Sequence, residues 1–164
     1  MAFTVETGAG VAGANSYLSV ADADTYHTDR ANSGWTGADA VKQAALIEAT
    51  DYLEAHYQWS TGYKTSDDQG LSWPRSGAID RHGWAIDSDE VPQEVKGATA
   101  YLALQGLSAA LGGPLGREQK KVKVASVEVE YTDTAAATTT YPYVDGLLTG
   151  LVTNSSSSVE VFLT

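Results

Sequence analysis

Residues 42–53 read KQAALIEATDYL and form the centre of the clearest amphipathic segment of the chain. Ala44, Ile47, Leu53 and the later Tyr57 follow one another at helical steps, so one face of a helix is apolar. We predict that this helix begins at Thr36 or Asp39 and continues to Tyr57. A helix of this length with one apolar face needs other helices to cover it, which favours a helical bundle.

Three further segments favour helices. Ser19 followed by Asp22 resembles a capping box and predicts a helix over residues 20–31. Pro92 suits a first helical turn, and the apolar spacing continues to Leu111 before the stop signal at residues 112–114. A short fourth helix is predicted after Pro142, over residues 143–151.

The remaining segments predict loops and one β segment. Residues 122–131 alternate in the manner of a strand, with a possible bulge at residues 125–126. Residues 3–18 predict an extended flexible arm, and residues 135–140 predict a low-complexity linker. The stretch 58–91 has no sustained period and predicts a long ordered loop, anchored by four aromatic side chains: Trp59, Tyr63, Trp73 and Trp84.

The expected fold class is therefore mainly α. We predict a small bundle of three to four helices with a long aromatic-anchored loop, one β-strand or hairpin segment and extended terminal arms. Residues 1–116 would form the bundle core with its N-terminal arm. Residues 117–164 would add the strand, the short helix and the C-terminal tail to the same single domain.

Composition narrows the function classes. The chain has 164 residues, 43% of them hydrophobic, which suits one folded core. The formal net charge of −11 repels nucleic acid phosphate and anionic lipid over most of the surface. The absence of cysteine excludes disulfides and thiolate metal sites. With neither a secretory signal nor an apolar run of about 18 residues, a soluble cytoplasmic product is expected.

Several catalytic and binding motifs are weak. Residues 8–13 match the letters of a dinucleotide fingerprint, but no strand–turn–helix pattern surrounds them. The aspartates of residues 67–68 and 87–89 lack the register of a calcium loop. No nucleophile motif is present, and the three dispersed histidines lack metal-site spacing: His27, His56 and His82. We therefore expect neither an enzyme, nor a cofactor, nor a bound metal.

One short segment is basic. Residues 117–123 contain four basic residues and one acidic residue within an otherwise acidic chain. Such a turn can contact DNA phosphate or an acidic protein partner, or it can be a solvated entry to a strand. The candidate contact residues are Arg117, Lys120, Lys121 and Lys123.

The order of five motifs resembles a known family. They are ANSYLS at 14–19, ADTYH at 23–27, KQAALIEATDYL at 42–53, LSWPRSG at 71–77 and Val-Pro at 91–92. This order is similar to the head-tail adaptor, or head completion, proteins of tailed bacteriophages. Many similar proteins carry the competing label of DnaT-like single-stranded DNA-binding protein. The resemblance is good over residues 14–111 and loose beyond them.

The resemblance implies a structural virion protein. It would form a ring, usually of twelve copies, at the virion neck below the portal protein, after assembly in the host cytoplasm. Its partners would be the portal, a tail completion or stopper protein and the double-stranded genome in the channel, with no membrane contact. The strand-like end of the chain is the candidate portal contact: Val159, Val161, Phe162 and Leu163.

The alternative is a replication protein that binds single-stranded DNA. The aromatic residues of the loop, with Arg75 and Arg81, could stack bases, although the loop is acidic where a DNA backbone would lie. We instead expect Trp73 to fill the bundle core and Arg75 to pair with a helix carboxylate. The predicted structural anchors are Tyr17, Tyr26, Trp73, Pro74 and Arg75.

Overall fold

A computed structural model describes residues 2–111, 121–124, 127–130 and 140–153. The fold is mainly α, as predicted. In the described residues, four helices and two short antiparallel strand pairs follow one another in the order α1, α2, β1, β2, α3, β3, β4, α4. Their bounds are α1 Val20–Asp29, α2 Asp39–His56, β1 Tyr63–Lys64, β2 Arg75–Ser76, α3 Gln93–Gly106, β3 Lys121–Val124, β4 Val127–Glu130 and α4 Pro142–Leu148.

The first helix begins as its capping signal predicts. The Ser19 hydroxyl accepts the backbone N–H of Asp22 at 3.1 Å and donates to the Asp22 carboxylate at 2.6 Å. This satisfies one of the amides that a helix start leaves unpaired. The helix ends at Asp29, two residues before the predicted end, because Ala31 takes a positive φ of 53° and turns the chain away.

The third helix is shorter than predicted. It ends at Gly106, and the chain then turns back toward α2. The backbone N–H of Leu111 donates to the Glu48 carboxylate at 2.9 Å, and the Leu111 side chain is buried. Leu111 therefore belongs to the core without being helical, which periodicity alone does not distinguish. The predicted stop at residues 112–114 lies outside the described residues.

The core lies between α2 and α3, and α4 covers α3. Leu46 and Leu53 of α2 and Val95 and Leu102 of α3 are fully buried. These side chains occupy the apolar faces that helical spacing predicts. The fourth helix starts at Pro142 itself and ends at Leu148, three residues before the predicted end.

The N-terminal segment corrects the prediction of a flexible arm. Val5 and Ser16 form a β-bridge, and the Asn15 side chain accepts the backbone N–H of Thr4 at 2.9 Å. Tyr17, at the end of this segment, is buried in the core. The small residues do not leave the segment loose, because hydrogen bonds replace the packing that larger side chains would supply.

The long loop is ordered, but only part of its aromatic set anchors it. The Trp73 side chain has no exposed surface, and Trp59 packs edge-on against it with ring centroids 5.8 Å apart. Tyr63 and Trp84 are exposed, so the prediction that all four rings are anchors is wrong for these two. The core accepts one tryptophan from the loop and covers it with a second.

The β segment predicted over residues 122–131, as one strand or a hairpin, is a hairpin of two strands. Strand β3 pairs with β4 in antiparallel register, with Val122 opposite Val129 and Val124 opposite Val127. The change of alternation at residues 125–126 therefore separates two strands, and the prediction of a bulge is wrong. The strand also has a partner in its own chain. The predicted linker at 135–140 lies almost wholly outside the described residues, and so does most of the predicted C-terminal tail. The described residues do not test the division of the single domain into 1–116 and 117–164.

Truncation of the buried tryptophan tests this description of the core. Trp73→Ala should lower the free energy of unfolding by about 3–5 kcal/mol, because the cavity adds to the lost burial of the ring. Urea denaturation followed by circular dichroism measures the difference. Trp84→Ala, the matched exposed variant, should stay within about 0.5 kcal/mol of the wild type. Equal effects of the two variants would contradict the assigned core.

Candidate functional site

Glu54 of α2 fixes the inner part of the long loop, at Ser72 and Trp73. The Tyr17 hydroxyl donates to the Glu54 carboxylate at 2.5 Å and accepts the backbone N–H groups of Ser72 at 3.1 Å and Trp73 at 3.2 Å. The Ser72 hydroxyl donates to the other carboxylate oxygen at 2.6 Å. Burial raises the pKa of Tyr17 well above its ordinary value, and the adjacent Glu54 raises it further. Tyr17 therefore stays a neutral donor at physiological pH.

Arg75 holds the loop in a different way from the one predicted. Its guanidinium donates to the backbone carbonyls of Thr61 at 2.6 Å, Gly62 at 2.7 Å and Ser72 at 3.4 Å. The prediction of an ion pair with a helix carboxylate is wrong. All three guanidinium nitrogens donate, so one side chain joins two arms of the loop. Arg75 is thus engaged within the loop.

The outer part of the loop ends in a tight turn that presents Trp84. Ile79 and Ala85 form an antiparallel bridge, and the Asp80 carboxylate accepts the backbone N–H groups of His82 and Trp84, each at 2.8 Å. These bonds, led by the one from Trp84, hold the pKa of Asp80 below its ordinary value. The backbone under Trp84 is therefore fixed, while its side chain is 75% exposed.

This turn is attached to α4. The Arg81 guanidinium donates to the backbone carbonyl of Leu147 at 2.7 Å and to that of Gly146 at 3.4 Å. A cation at these carbonyls suits the negative end of the helix. Gly150 has a φ of 91°, and a Cβ there would lie 2.8 Å from the Cα of Arg81, so only glycine permits this approach.

Exposed apolar surface is concentrated on this loop. Among the described residues, five large apolar or aromatic side chains are exposed: Val41, Tyr63, Ile79, Trp84 and Tyr143. Three of the five belong to the long loop, where Thr61 exchanges hydrogen bonds with the backbone of Ile79 and so joins the Tyr63 strand to the Trp84 turn. Exposed aromatic side chains on a fixed backbone are a typical contact surface for a partner.

The two other predicted anchors, Pro74 and Tyr26, differ in burial. Pro74 is buried beside Trp73. Tyr26 is only half-buried, and the guanidinium of Arg30 lies over its ring, 3.6 Å from the centroid. Burial raises the pKa of Tyr26 to about 12, helped by a hydrogen bond with Tyr143. Tyr26 therefore lies at the edge of a groove.

The basic turn is only partly described. Arg117 and Lys120 lie outside the described residues, as do Val159, Val161, Phe162 and Leu163. The register of the hairpin places Lys121 opposite Glu130 and Lys123 opposite Glu128. The contact predicted for the four basic residues therefore stays a prediction.

The glycine-rich residues 8–13 do surround an anion, but it is the chain's own. The buried Glu6 carboxylate accepts the backbone N–H groups of Gly8 at 2.8 Å, Gly10 at 3.0 Å and Val11 at 2.7 Å. Gly8 and Gly10 have positive φ, which lets consecutive amides converge on one anion. The letters of the fingerprint therefore mark an internal structural contact.

The histidines lie in three separate environments. His27 is buried against Trp35, His56 stacks on Tyr52 and His82 is exposed on the Trp84 turn. Among the described residues, no group of three or more His, Cys, Asp or Glu side chains could hold a metal ion. No described helix is both long enough and apolar enough to cross a bilayer.

Four structural residues escaped the sequence analysis. Each holds a specific backbone arrangement: Glu6, Glu54, Asp80 and Gly150. Only Glu6 and Asp80 make their contacts with residues close in sequence. Asp80 and Gly83 are residue types that favour a turn, so the sequence before Trp84 is compatible with one. The contacts of Glu54 span 18 and 37 positions of sequence and leave no local pattern.

A family model described as "Putative DnaT-like ssDNA binding protein" matches residues 1–164. No curated protein and no solved structure matches the chain. The match covers the whole chain and carries no head-tail adaptor description. The prediction of an adaptor ring at the virion neck is therefore wrong. DNA is the partner that this family indicates, and nothing supports portal, tail or ring partners.

The Asp80 turn can be tested by pH. Because its folded pKa lies below the ordinary 3.8, Asp80 stabilises the turn above pH 3.8 and loses this effect as the pH falls through the lower folded value. The protection factors of the His82 and Trp84 amides, measured by NMR and corrected for the intrinsic pH dependence of exchange, should stay constant down to pH 3.8 and fall below it. Asp80→Ala should abolish the protection at all pH values, whereas Asp80→Asn keeps an acceptor oxygen and should retain part of it. Unchanged exchange in Asp80→Ala would refute the assignment.

Proposed function

Because the chain belongs to the family of putative DnaT-like ssDNA binding proteins, we propose that it binds single-stranded DNA by stacking bases on Trp84 and Tyr63 of the long loop. The observation that carries this proposal is the exposed Trp84 ring on a hydrogen-bonded turn. A ring on a fixed backbone has less conformational freedom to lose when a base stacks on it. Base–aromatic stacking contributes about 1–3 kcal/mol per base and tolerates any sequence.

Tyr63 supplies the second ring. Its side chain is 68% exposed, and it lies in β1 opposite Ser76 of β2. Gly77 follows Ser76 and has no side chain; a Cβ there would lie 3.8 Å from the Tyr63 ring, which is an ordinary contact distance. Trp59 and Trp73 do not take part, because one is half-buried and the other fully buried. The structure thus leaves two of the four loop aromatics available.

Charge argues for stacking rather than phosphate contact as the main source of affinity. Residues 58–91 contain three basic and six acidic residues, and the guanidinium groups of Arg75 and Arg81 already bind backbone carbonyls. A strand bound here would present its bases to the protein and its phosphates to solvent. Such binding requires no nucleophile and no catalytic step, so the proposed activity is binding alone.

The stacking role of Trp84 has a direct test. Trp84→Ala should weaken binding of a fluorescein-labelled oligothymidylate of about twelve nucleotides by about 5- to 150-fold, the loss of one stacked base. Fluorescence anisotropy titration measures the dissociation constant. Trp84→Phe keeps a ring and should lose less, and Val41→Ala, an exposed apolar change on α2, should bind as the wild type does. Wild-type affinity in Trp84→Ala would reject the proposal.

Salt dependence separates stacking from phosphate binding. Each phosphate contact in a single strand contributes about 0.7 to the magnitude of the slope of log K against log salt. With few available cations, we expect a magnitude below about 2 for this protein. Titrations of the wild type at several sodium chloride concentrations give the slope. A steep dependence would show that a basic surface dominates and that the loop is not the principal site.

A further inference from the structure

A groove with a volume of about 540 Å³ lies where α1, α3 and α4 meet. Tyr26 of α1 and Tyr143 of α4 line it, and Tyr143 is 48% exposed. The Tyr101 ring supports Tyr143, with centroids 4.6 Å apart. Gly97 of α3 also lines the groove, and a Cβ there would lie 3.8 Å from the Tyr26 ring. The groove therefore offers an aromatic surface built from three helices.

Lys96 of α3 also lines the groove, and its ammonium group is uncommitted. Within residues 2–111, it is the one basic side chain with neither a hydrogen bond nor an ion pair. A lysine without an internal partner is free to pair with an external anion. The other five basic side chains of this range have partners: Arg30, Lys42, Lys64, Arg75 and Arg81.

Arg30 contributes a second positive charge to the groove. Its guanidinium lies flat over the Tyr26 ring and donates to the Tyr26 backbone carbonyl at 3.1 Å. One hydrogen bond leaves most of its five N–H donors free. The groove thus combines exposed aromatic surface with two cations, which is the combination that single-stranded nucleic acid recognition uses.

The groove is connected to the Trp84 turn through α4. Leu147 lines the groove with its side chain, and its carbonyl accepts the Arg81 guanidinium from the turn. Tyr143 precedes Leu147 by about one helical turn, a rise of roughly 6 Å. A strand leaving the stacking surface of the loop therefore has a second aromatic surface close to it along α4.

We propose that this groove is a second subsite for single-stranded DNA, in which one base stacks on Tyr143 and its phosphate pairs with Lys96. This inference rests on the proposed function and names a further part of the binding surface. It assigns to α3 and α4 a role that the long loop does not have. The loop supplies stacking, and the groove supplies the phosphate contact that the loop lacks.

Three carboxylates limit what the groove accepts. Asp22, Asp29 and Glu94 line it together with the two cations. They repel a continuous phosphate backbone and leave a favourable position only beside Lys96 and Arg30. The groove is therefore suited to a single nucleotide. The same carboxylates would attract a cationic ligand such as a basic peptide.

The test compares groove variants with the loop variant on the same labelled oligothymidylate of about twelve nucleotides. Tyr143→Ala should weaken binding by about 5- to 150-fold, whereas Tyr143→Phe should keep most of the affinity. Lys96→Gln should weaken binding and reduce the magnitude of the salt slope by about 0.7, while Lys96→Arg restores both. Trp84→Ala should weaken binding without changing the slope. Glu94→Gln should tighten binding because it removes a repulsive charge.

Any other outcome overturns the groove subsite, and the outcomes distinguish failure of the subsite from failure of the proposed function. If the wild type binds no oligothymidylate, both fail. If Trp84→Ala weakens binding while Tyr143→Ala and Lys96→Gln match the wild type, the function stands and the groove subsite is rejected. If Glu94→Gln weakens binding, the Glu94 carboxylate does not repel the strand and the subsite is rejected. Circular dichroism melting of each variant confirms that the fold is intact.

Discussion

The carboxylate of Glu54 is the contact on which the arrangement of this protein depends. It receives hydrogen bonds from the Tyr17 hydroxyl, the Trp59 indole and the backbone and hydroxyl of Ser72. These donors come from the N-terminal segment and from two parts of the long loop, so one α2 side chain joins three separate pieces of chain. Removing it would leave several partly buried donors without an acceptor, which costs more than the bonds themselves contribute.

This fixed root explains how a long loop can carry exposed aromatic rings. With Trp73 in the core and Trp59 packed against it, the base of the loop is fixed to the helices. The outer turn is then fixed separately by Asp80 and by the contact of Arg81 with α4. The base of the loop supplies the buried aromatic ring, so the rings of Tyr63 and Trp84 remain exposed and available to a partner.

The charge distribution limits how the proposed surface can contact DNA. Five of the six Lys and Arg side chains in residues 2–111 have partners within the molecule. The described surface therefore has little general attraction for a phosphate backbone. The proposed contacts, bases on exposed rings and one phosphate at Lys96, are compatible with this charge distribution.

The sequence by itself determined the helices, the capping at Ser19, the burial of Trp73 and the candidate aromatic residues, because spacing, caps and large apolar side chains are local signals. It did not determine which aromatic rings would be exposed, that Glu6 would fill the glycine-rich turn, or that Arg75 would bind carbonyls. It also favoured the wrong function, since its motifs are structural ones shared under two descriptions. The family match corrected the function. The tertiary structure decided the exposed rings and the partners of Glu6 and Arg75, because such contacts, like that of Tyr17 with Glu54 across 37 positions, depend on where the helices place the side chains.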